Sequence, residues 1–225
     1  MWCALPVNKV AQPGRKTMQQ VRLGRSGLVV SRLAFGTWQL GGDWGPTDTA
    51  EAIGAIRRAV DEGVTFFDTA QAYGFGQSEQ LLSAALRGVP REQVVIATKG
   101  GLRLTDSGLV RDASARWIRE GIDASLRALG TDYVDLYQLH WPDPATPFDE
   151  TAEALAGLIA EGKIRHVGVS NFGVEQMEAF GVTLPVETLQ APYDLFPATS
   201  KPRSSPTPRR TTSGSWSMDP SPTGC

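Results

Sequence analysis

The chain has 225 residues, a formal net charge of −2 and 41% hydrophobic residues, which is enough for one globular domain of α/β size. This charge balance gives no electrostatic reason to expect a nucleic acid or a membrane surface as a partner. No apolar run approaches the roughly 20 residues that span a bilayer, and the N-terminal apolar run is too short for a secretory signal, so we expect a cytoplasmic protein.

The predicted elements begin after an irregular polar leader, residues 1–17. Two short apolar runs at 21–23 and 28–30, separated by a Gly-Arg-Ser-Gly segment, predict an N-terminal β-hairpin. From there strand patterns alternate with amphipathic helix patterns, and Asp48 and Asp112 are predicted to cap two of the helices. The predicted strands cover residues 32–37, 64–68, 94–99, 134–140, 164–170 and 188–191.

Six strand–helix alternations favour a parallel sheet wound with helices, as a barrel or as a doubly wound sheet. No Gly-x-Gly-x-x-Gly follows the first strand, which favours the barrel. Because a complete (β/α)8 barrel needs about 250 residues, we predict an incomplete TIM-barrel fold over residues 18–196, with about six of its eight units. Residues 197–225 contain no Val, Ile, Leu or Phe and are rich in Ser, Pro, Thr and Arg, which predicts a disordered tail.

Four polar side chains follow the predicted strands. Asp68, Lys99 and His140 each end a strand, and Tyr73 lies in the loop after Asp68. The carboxyl ends of barrel strands form the active site in this fold class, and these four groups together make a proton-donor set for reducing a carbonyl. Each has an ordinary interpretation alone, as a cap, a packing residue or a solvated strand end, but their combination favours catalysis. His166, inside a strand, is interpreted as structural.

The two cysteines, Cys3 and Cys225, lie in the irregular ends of the chain. This placement disfavours a disulfide framework, a thiolate metal site and a cysteine nucleophile. We therefore expect no metal.

Short motifs occur in a fixed order between residues 20 and 196. They are Gly36-Thr37-Trp38, Phe67-Asp68-Thr69-Ala70, Ala72-Tyr73-Gly74, Ser78-Glu79, Ala97-Thr98-Lys99, Leu139-His140-Trp141-Pro142-Asp143, Gly168-Val169-Ser170-Asn171-Phe172 and Gln190. As an ordered set they resemble the aldo-keto reductase family. The resemblance implies hydride transfer from NADPH to the carbonyl carbon of a small aldehyde or ketone.

The resemblance also implies a role for each of the four strand-end groups. Tyr73 would donate the proton, and Lys99 would lower the pKa of that phenol. Asp68 would keep Lys99 charged and in place, while His140 would orient the carbonyl oxygen and stabilise developing negative charge.

Further residues are implied to bind the cofactor or the substrate. The nicotinamide carboxamide would be bound by Ser170, Asn171 and Gln190, although a turn and a strand end explain these three residues as well. Thr37 and Asp68 are also expected at the cofactor. Trp38 and Trp141 either line a substrate pocket or are rim or core aromatics.

After Phe196 the chain departs from the family pattern. The expected strand-seven motif and phosphate-contacting residues are missing, and we interpret the tail as the product of a truncation or a frameshift after about residue 196. We therefore expect impaired activity and weak NADPH binding. Two alternatives stay open, a non-catalytic cofactor-binding or regulatory barrel of the same family and an inactive fragment. The carbonyl substrate, the choice between NADPH and NADH and the oligomeric state also stay open.

Overall fold

The computed structural model describes residues 18–42 and 45–192 and the backbone of a strand at Gly214–Trp216. It begins with an antiparallel pair, β1 (Gln20–Arg22) and β2 (Val29–Ser31), which confirms the predicted hairpin. Leu23 and Val30 of this hairpin pack against Phe66, Ala97 and Leu136. The hairpin therefore covers the strand residues that lie upstream of the predicted polar groups.

The remaining strands build one large parallel sheet and one small hairpin. In chain order they are β3 (Ala34–Gly36), β4 (Phe66–Asp68), β5 (Val95–Gly100), β6 (Leu102–Thr105), β7 (Gly108–Arg111), β8 (Val134–Leu139), β9 (Ile164–Ser170), β10 (Thr188–Gln190) and β11 (Gly214–Trp216). The large sheet has the order β11-β10-β9-β8-β5-β4-β3, and it contains all six predicted strands. The β6–β7 hairpin was not predicted, because its two short strands lie in what reads as a polar loop.

Five α-helices connect the strands of the large sheet within residues 45–192. They are α1 (Thr49–Asp61), α2 (Gln77–Ala85), α3 (Ala115–Leu129), α4 (Phe148–Ala160) and α5 (Val174–Phe180). Together with the curled parallel sheet they form an incomplete (β/α)8 barrel, as predicted from the alternation. Within the described part of the chain, no helix has the length and apolar character needed to cross a membrane.

The two predicted helix caps have different outcomes. Asp48 accepts hydrogen bonds from the backbone N–H groups of Ala50 and Glu51 and caps α1, as expected. The predicted cap of α3 is wrong, because Ser114 rather than Asp112 accepts from Trp117 N. Because β7 continues to Arg111, Asp112 and Ala113 form the connection, and the helix cap falls at Ser114.

The core lies between the outer face of the sheet and the helices. Ile56, Ile118, Ile122, Leu155 and Leu158 are fully buried there and belong to one cluster with Phe67, Tyr137, Leu139 and Val169. Successive side chains of a strand point to opposite faces. Burial of Phe67 and Leu139 on the outer face therefore turns Asp68 and His140 towards the inner face.

The two ends of the chain lie largely outside the described residues. This applies to the predicted leader, residues 1–17, and to most of the predicted tail, residues 197–225. The exception is β11, which pairs in parallel with β10 so that Thr188 faces Gly214 and Gln190 faces Trp216. The expectation of a wholly disordered tail did not include this strand. Backbone pairing at the open edge of β10 does not require apolar side chains, and the truncation or frameshift origin of the tail stays a hypothesis.

One tight contact inside the sheet leads to a stability prediction. A Cβ atom on Gly100 would overlap the Tyr137 hydroxyl and lie 2.7 Å from Cζ of the ring, whereas a Cβ on Gly54 in α1 meets no atom within 4 Å. Gly100→Ala is therefore expected to lower the free energy of unfolding by about 2 kcal/mol through overpacking. The control Gly54→Ala is expected to raise it by about 0.5–1 kcal/mol because alanine favours helix. Urea unfolding measures both.

A second variant tests the cause. The Tyr137 hydroxyl has no hydrogen-bond partner among the described residues, so Tyr137→Phe alone should change the free energy of unfolding little. Combined with Gly100→Ala, it should restore part of the stability that Gly100→Ala removes. Equal effects of Gly100→Ala with and without Tyr137→Phe would contradict this interpretation.

Candidate active site

Asp68, Tyr73 and Lys99 meet at the carboxyl ends of β4 and β5. Lys99 Nζ lies 2.8 Å from Asp68 Oδ2, 3.1 Å from the Tyr73 hydroxyl and 3.0 Å from the Thr69 carbonyl oxygen. The loop after β4 is fixed along β5, because Gln71 N donates to the Lys99 carbonyl. This backbone contact places Tyr73 beside the lysine.

The Lys99 ammonium is completely buried, yet it stays charged. Burial alone favours the neutral amine, but Asp68 and Tyr73 outweigh it and raise the pKa of Lys99 above its ordinary value. Asp68 Oδ2 also accepts from Gln190 Nε2 at 3.1 Å. This oxygen thus accepts from two donors, and the carboxylate holds the lysine in turn.

The pKa of Tyr73 is set by burial and by two charged neighbours. Burial raises the pKa of Tyr73, and neighbouring Lys99 lowers it by a smaller amount while Asp68 raises it further. The predicted lowering by Lys99 is present, but burial of the phenol outweighs it, and the pKa of Tyr73 lies above its ordinary value. Tyr73 therefore rests as a protonated phenol with an ammonium already at its oxygen.

His140 lies next to Tyr73 at the end of β8. The two rings are perpendicular with centroids 5.8 Å apart, and His140 N donates to the Gly100 carbonyl. Burial, helped by the charge of Lys99, lowers the pKa of His140 to about 3. The imidazole is therefore neutral near pH 7, and its Nδ1 has no hydrogen-bond partner within the described part of the chain.

The three residues predicted to bind a carboxamide also lie together, at the ends of β9 and β10. Asn171 Nδ2 donates to the His140 carbonyl oxygen and to Ser170 Oγ, both at 3.1 Å. Asn171 N donates to the Gln190 carbonyl, and the left-handed backbone at Asn171 (φ 61°) turns its side chain back towards β8. Gln190 Oε1 is buried without a partner among the described residues.

The other predicted site residues differ in their placement. The Thr37 side chain is buried, where its hydroxyl accepts from Ser78 Oγ at 2.6 Å and donates to the Asp68 carbonyl. Trp38 stacks on Tyr73 with ring centroids 6.3 Å apart, so it borders the predicted proton donor. Trp141 is exposed at the rim, with the Arg111 guanidinium 4.9 Å from its ring centroid. No group of three or more His, Cys, Asp or Glu side chains in the described ranges is arranged to hold a metal ion.

Comparison with known proteins agrees with this geometry. The Aldo/keto reductase family model matches residues 32–207, which is most of the chain. The chain belongs to the aldo/keto reductase family.

Two curated relatives and one solved structure illustrate the similarity. Aldo-keto reductase YhdN of Bacillus subtilis is 47% identical over 181 residues, covering 80% of this chain and 55% of the relative. The NADH-specific methylglyoxal reductase of Escherichia coli is 36% identical over 195 residues, with 80% and 60% covered. An aldo-keto reductase from Klebsiella pneumoniae in complex with NADPH superposes with a TM-score of 0.74 at 30% identity, covering 92% of this chain and 68% of that one. The chain thus spans less than two thirds of the length of these curated relatives.

One residue of this aldo/keto reductase site was missed in the sequence. Gln138 on β8 is completely buried, and its Nε2 lies 3.4 Å from Asp68 Oδ1. The signal that could have found it is the alternation of the strand, since a residue two positions before His140 shares its face. A glutamine there, where the rest of the strand is mostly apolar, is the unusual feature.

The neutral state of His140 leads to a prediction for the pH dependence of stability. The unfolded histidine titrates near its ordinary pKa of about 6.5, while the folded group titrates at about 3. Below pH 6.5 the unfolded state therefore takes up a proton that the folded state does not, and stability falls with falling pH. At pH 5 this loss is about 2 kcal/mol relative to pH 7.5.

Variants without the imidazole test this contribution. Between pH 7.5 and pH 5, the free energy of unfolding of His140→Gln and of His140→Phe should fall by about 2 kcal/mol less than that of the wild type. Urea unfolding at the two pH values measures this difference. Two replacements of different size separate titration from packing. The same pH dependence in wild type and both variants would show that His140 is not responsible.

Proposed function

We propose that this chain is a reductase that converts a small aldehyde or ketone to the alcohol with a nicotinamide cofactor. The observation that carries this proposal is the direct contact of Lys99 Nζ with both the Tyr73 hydroxyl and Asp68 Oδ2, with His140 beside the tyrosine. A protonated phenol next to a buried ammonium is suited to protonate an oxygen that becomes negative during the reaction.

The residues fit a nicotinamide at this place. Gln190 Oε1 is a buried acceptor without a partner in the described ranges, and a carboxamide N–H₂ would satisfy it. Ser170 and Asn171 supply a hydroxyl and an amide next to it, and Asp68 lies at the same mouth. When bound, the nicotinamide supplies the hydride. These contacts would fix which face of the ring is presented to the substrate.

The choice of dinucleotide is part of the proposal. The similar structure from Klebsiella pneumoniae contains NADPH, whereas the relative from Escherichia coli is described as NADH-specific. We propose NADPH as the cofactor. Ser170, Asn171 and Gln190 would hold the nicotinamide end, which both dinucleotides share.

Side chains of this chain would orient the carbonyl group, protonate it and stabilise the resulting charge. The neutral imidazole of His140 would donate its one N–H to the carbonyl oxygen and orient it before reaction. Tyr73 would then give its proton to that oxygen as negative charge develops. Lys99 stabilises the tyrosinate left behind, and Asp68 compensates the charge of Lys99 in a site from which water is excluded. Trp38, stacked on Tyr73, would form one wall of the substrate pocket.

Removal of the proton donor tests this assignment. Tyr73→Phe is expected to lower kcat for 4-nitrobenzaldehyde by about 10²–10⁴-fold, the usual contribution of a positioned acid, while the Kd for NADPH changes less than about twofold. The turnover is followed by loss of the reduced nicotinamide's absorbance, and binding by its fluorescence. Tyr133→Phe is the matched control, because Tyr133 lies between Arg91 and Arg165 and touches none of the site residues.

The outcomes distinguish the hypotheses for this chain. Tight NADPH binding without turnover in the wild type would support a non-catalytic, cofactor-binding barrel instead. Failure to bind either dinucleotide would contradict the proposed function altogether. Turnover in Tyr73→Phe equal to that of the wild type would remove Tyr73 from the mechanism.

A further inference from the structure

Gln138 occupies a layer of the barrel interior shared with the catalytic lysine. In the parallel pairing it faces Lys99 on one side and Gly168 on the other, and it is completely buried. A Cβ on Gly168 would lie 3.3 Å from Gln138 Cγ and would overlap Thr188 Oγ1. The glycine therefore leaves the space that the glutamine side chain needs to reach inward.

The two oxygens of the Asp68 carboxylate have different partners. Oδ2 accepts from Lys99 at 2.8 Å and from Gln190 at 3.1 Å. Oδ1 faces Gln138 Nε2 at 3.4 Å, which is a long but charge-assisted contact. Among the described residues, Gln138 is the donor found on this second oxygen.

Burying this amide costs free energy, and packing alone does not explain why an amide occupies this position. Gln138 Oε1 has no hydrogen-bond partner within the described part of the chain. A Met or Leu of similar size would fill the same space without a buried polar atom. A buried polar group with one unsatisfied end is expected where its other end has a specific task.

We propose that Gln138 is a positioning residue for the reaction: its amide N–H holds Asp68 Oδ1, so that Oδ2 stays on Lys99 and Lys99 stays on the Tyr73 hydroxyl. The terminal torsion of an aspartate is broad and does not fix the carboxylate by itself. Two anchored oxygens define the plane of the group, and they thereby define the position of the ammonium. This inference rests on the proposed reductase function.

The decisive comparison uses two substitutions to methionine on the same strand and the same face. Gln138→Met keeps the size of the side chain and removes the donor, whereas Leu136→Met changes a buried residue that belongs to the apolar cluster with Leu23, Val30, Phe66 and Ala97. For Gln138→Met we expect kcat for 4-nitrobenzaldehyde to fall about 10- to 100-fold, with KM and the Kd for NADPH within about threefold. Leu136→Met should keep kcat within about twofold of the wild type.

The conservative variant Gln138→Glu gives a pH dependence of activity that a purely structural role of Gln138 does not predict. In Gln138→Glu the side chain can donate to Asp68 Oδ1 only while it is protonated. A buried carboxyl beside another carboxylate has a pKa well above its ordinary value, so it stays protonated to a higher pH. Activity of Gln138→Glu should therefore approach that of the wild type near pH 5 and fall by pH 8. Gln138→Met should stay low over the whole range.

A measurement without turnover separates this inference from the proposed function. The ionisation of Tyr73 can be followed by NMR of ¹³C-tyrosine, with Tyr73→Phe assigning the signal. Asp68 raises the pKa of Tyr73, so loss of the amide that partly offsets its charge should move this titration to higher pH in Gln138→Met. If the wild type binds NADPH but reduces no aldehyde, the proposed function fails, and the titration still decides the role of Gln138.

Three results would overturn the positioning role. The first is a kcat of Gln138→Met within twofold of the wild type. The second is an equal loss of activity in Leu136→Met, which would indicate packing. The third is a Tyr73 titration that is unchanged in Gln138→Met, even where activity falls.

Discussion

The buried ion pair between Lys99 and Asp68 is the interaction on which the site depends. Bringing an ammonium and a carboxylate out of water costs several kcal/mol per ion, and their attraction offsets this only when the remaining donors and acceptors are satisfied. Here they are satisfied by four groups from three strands or the loop after one of them: the Thr69 carbonyl and the Tyr73 hydroxyl after β4, Gln138 on β8 and Gln190 on β10. The ion pair is stable only if the barrel is folded, and its presence requires that these strand ends converge.

This convergence follows from the parallel sheet. Each strand buries apolar residues such as Phe67 and Leu139 against the helices, so that alternate residues project inward. Parallel pairing puts all the carboxyl ends at one mouth, where residues far apart in the chain, such as Asp68 and Gln190, come within hydrogen-bond distance. The helices therefore determine the geometry of the site although none of the four side chains proposed to be catalytic lies on a helix.

The sequence predicted those parts of the structure that depend on local periodicity. The six parallel strands and the strand-end positions of Asp68, Lys99 and His140 could be inferred, because alternation and strand ends are local patterns. The β6–β7 hairpin could not be inferred, because its two strands pair across a loop that reads as polar. Ser114 was missed as the cap of α3 because this hairpin continues to Arg111 and places the start of the helix two residues later than expected. Gln138 was missed for a different reason: its partner Asp68 is 70 residues away, and only the register of the folded sheet brings the two together.

The opposite effects of burial and of Lys99 on the pKa of Tyr73 bear on the chemistry of the proposed site. A depressed pKa would produce some tyrosinate before substrate arrives, and a tyrosinate has no proton to donate. Burial prevents this by raising the pKa of the resting phenol, while in the proposed reaction Lys99 would act most strongly on the charged form that appears after proton transfer. The two effects thus stabilise different states of the same side chain: desolvation keeps the donor protonated, and the ammonium stabilises the product of donation. A lysine in contact with the phenol is therefore consistent with a raised resting pKa, because its contribution is largest when the substrate oxygen takes the proton.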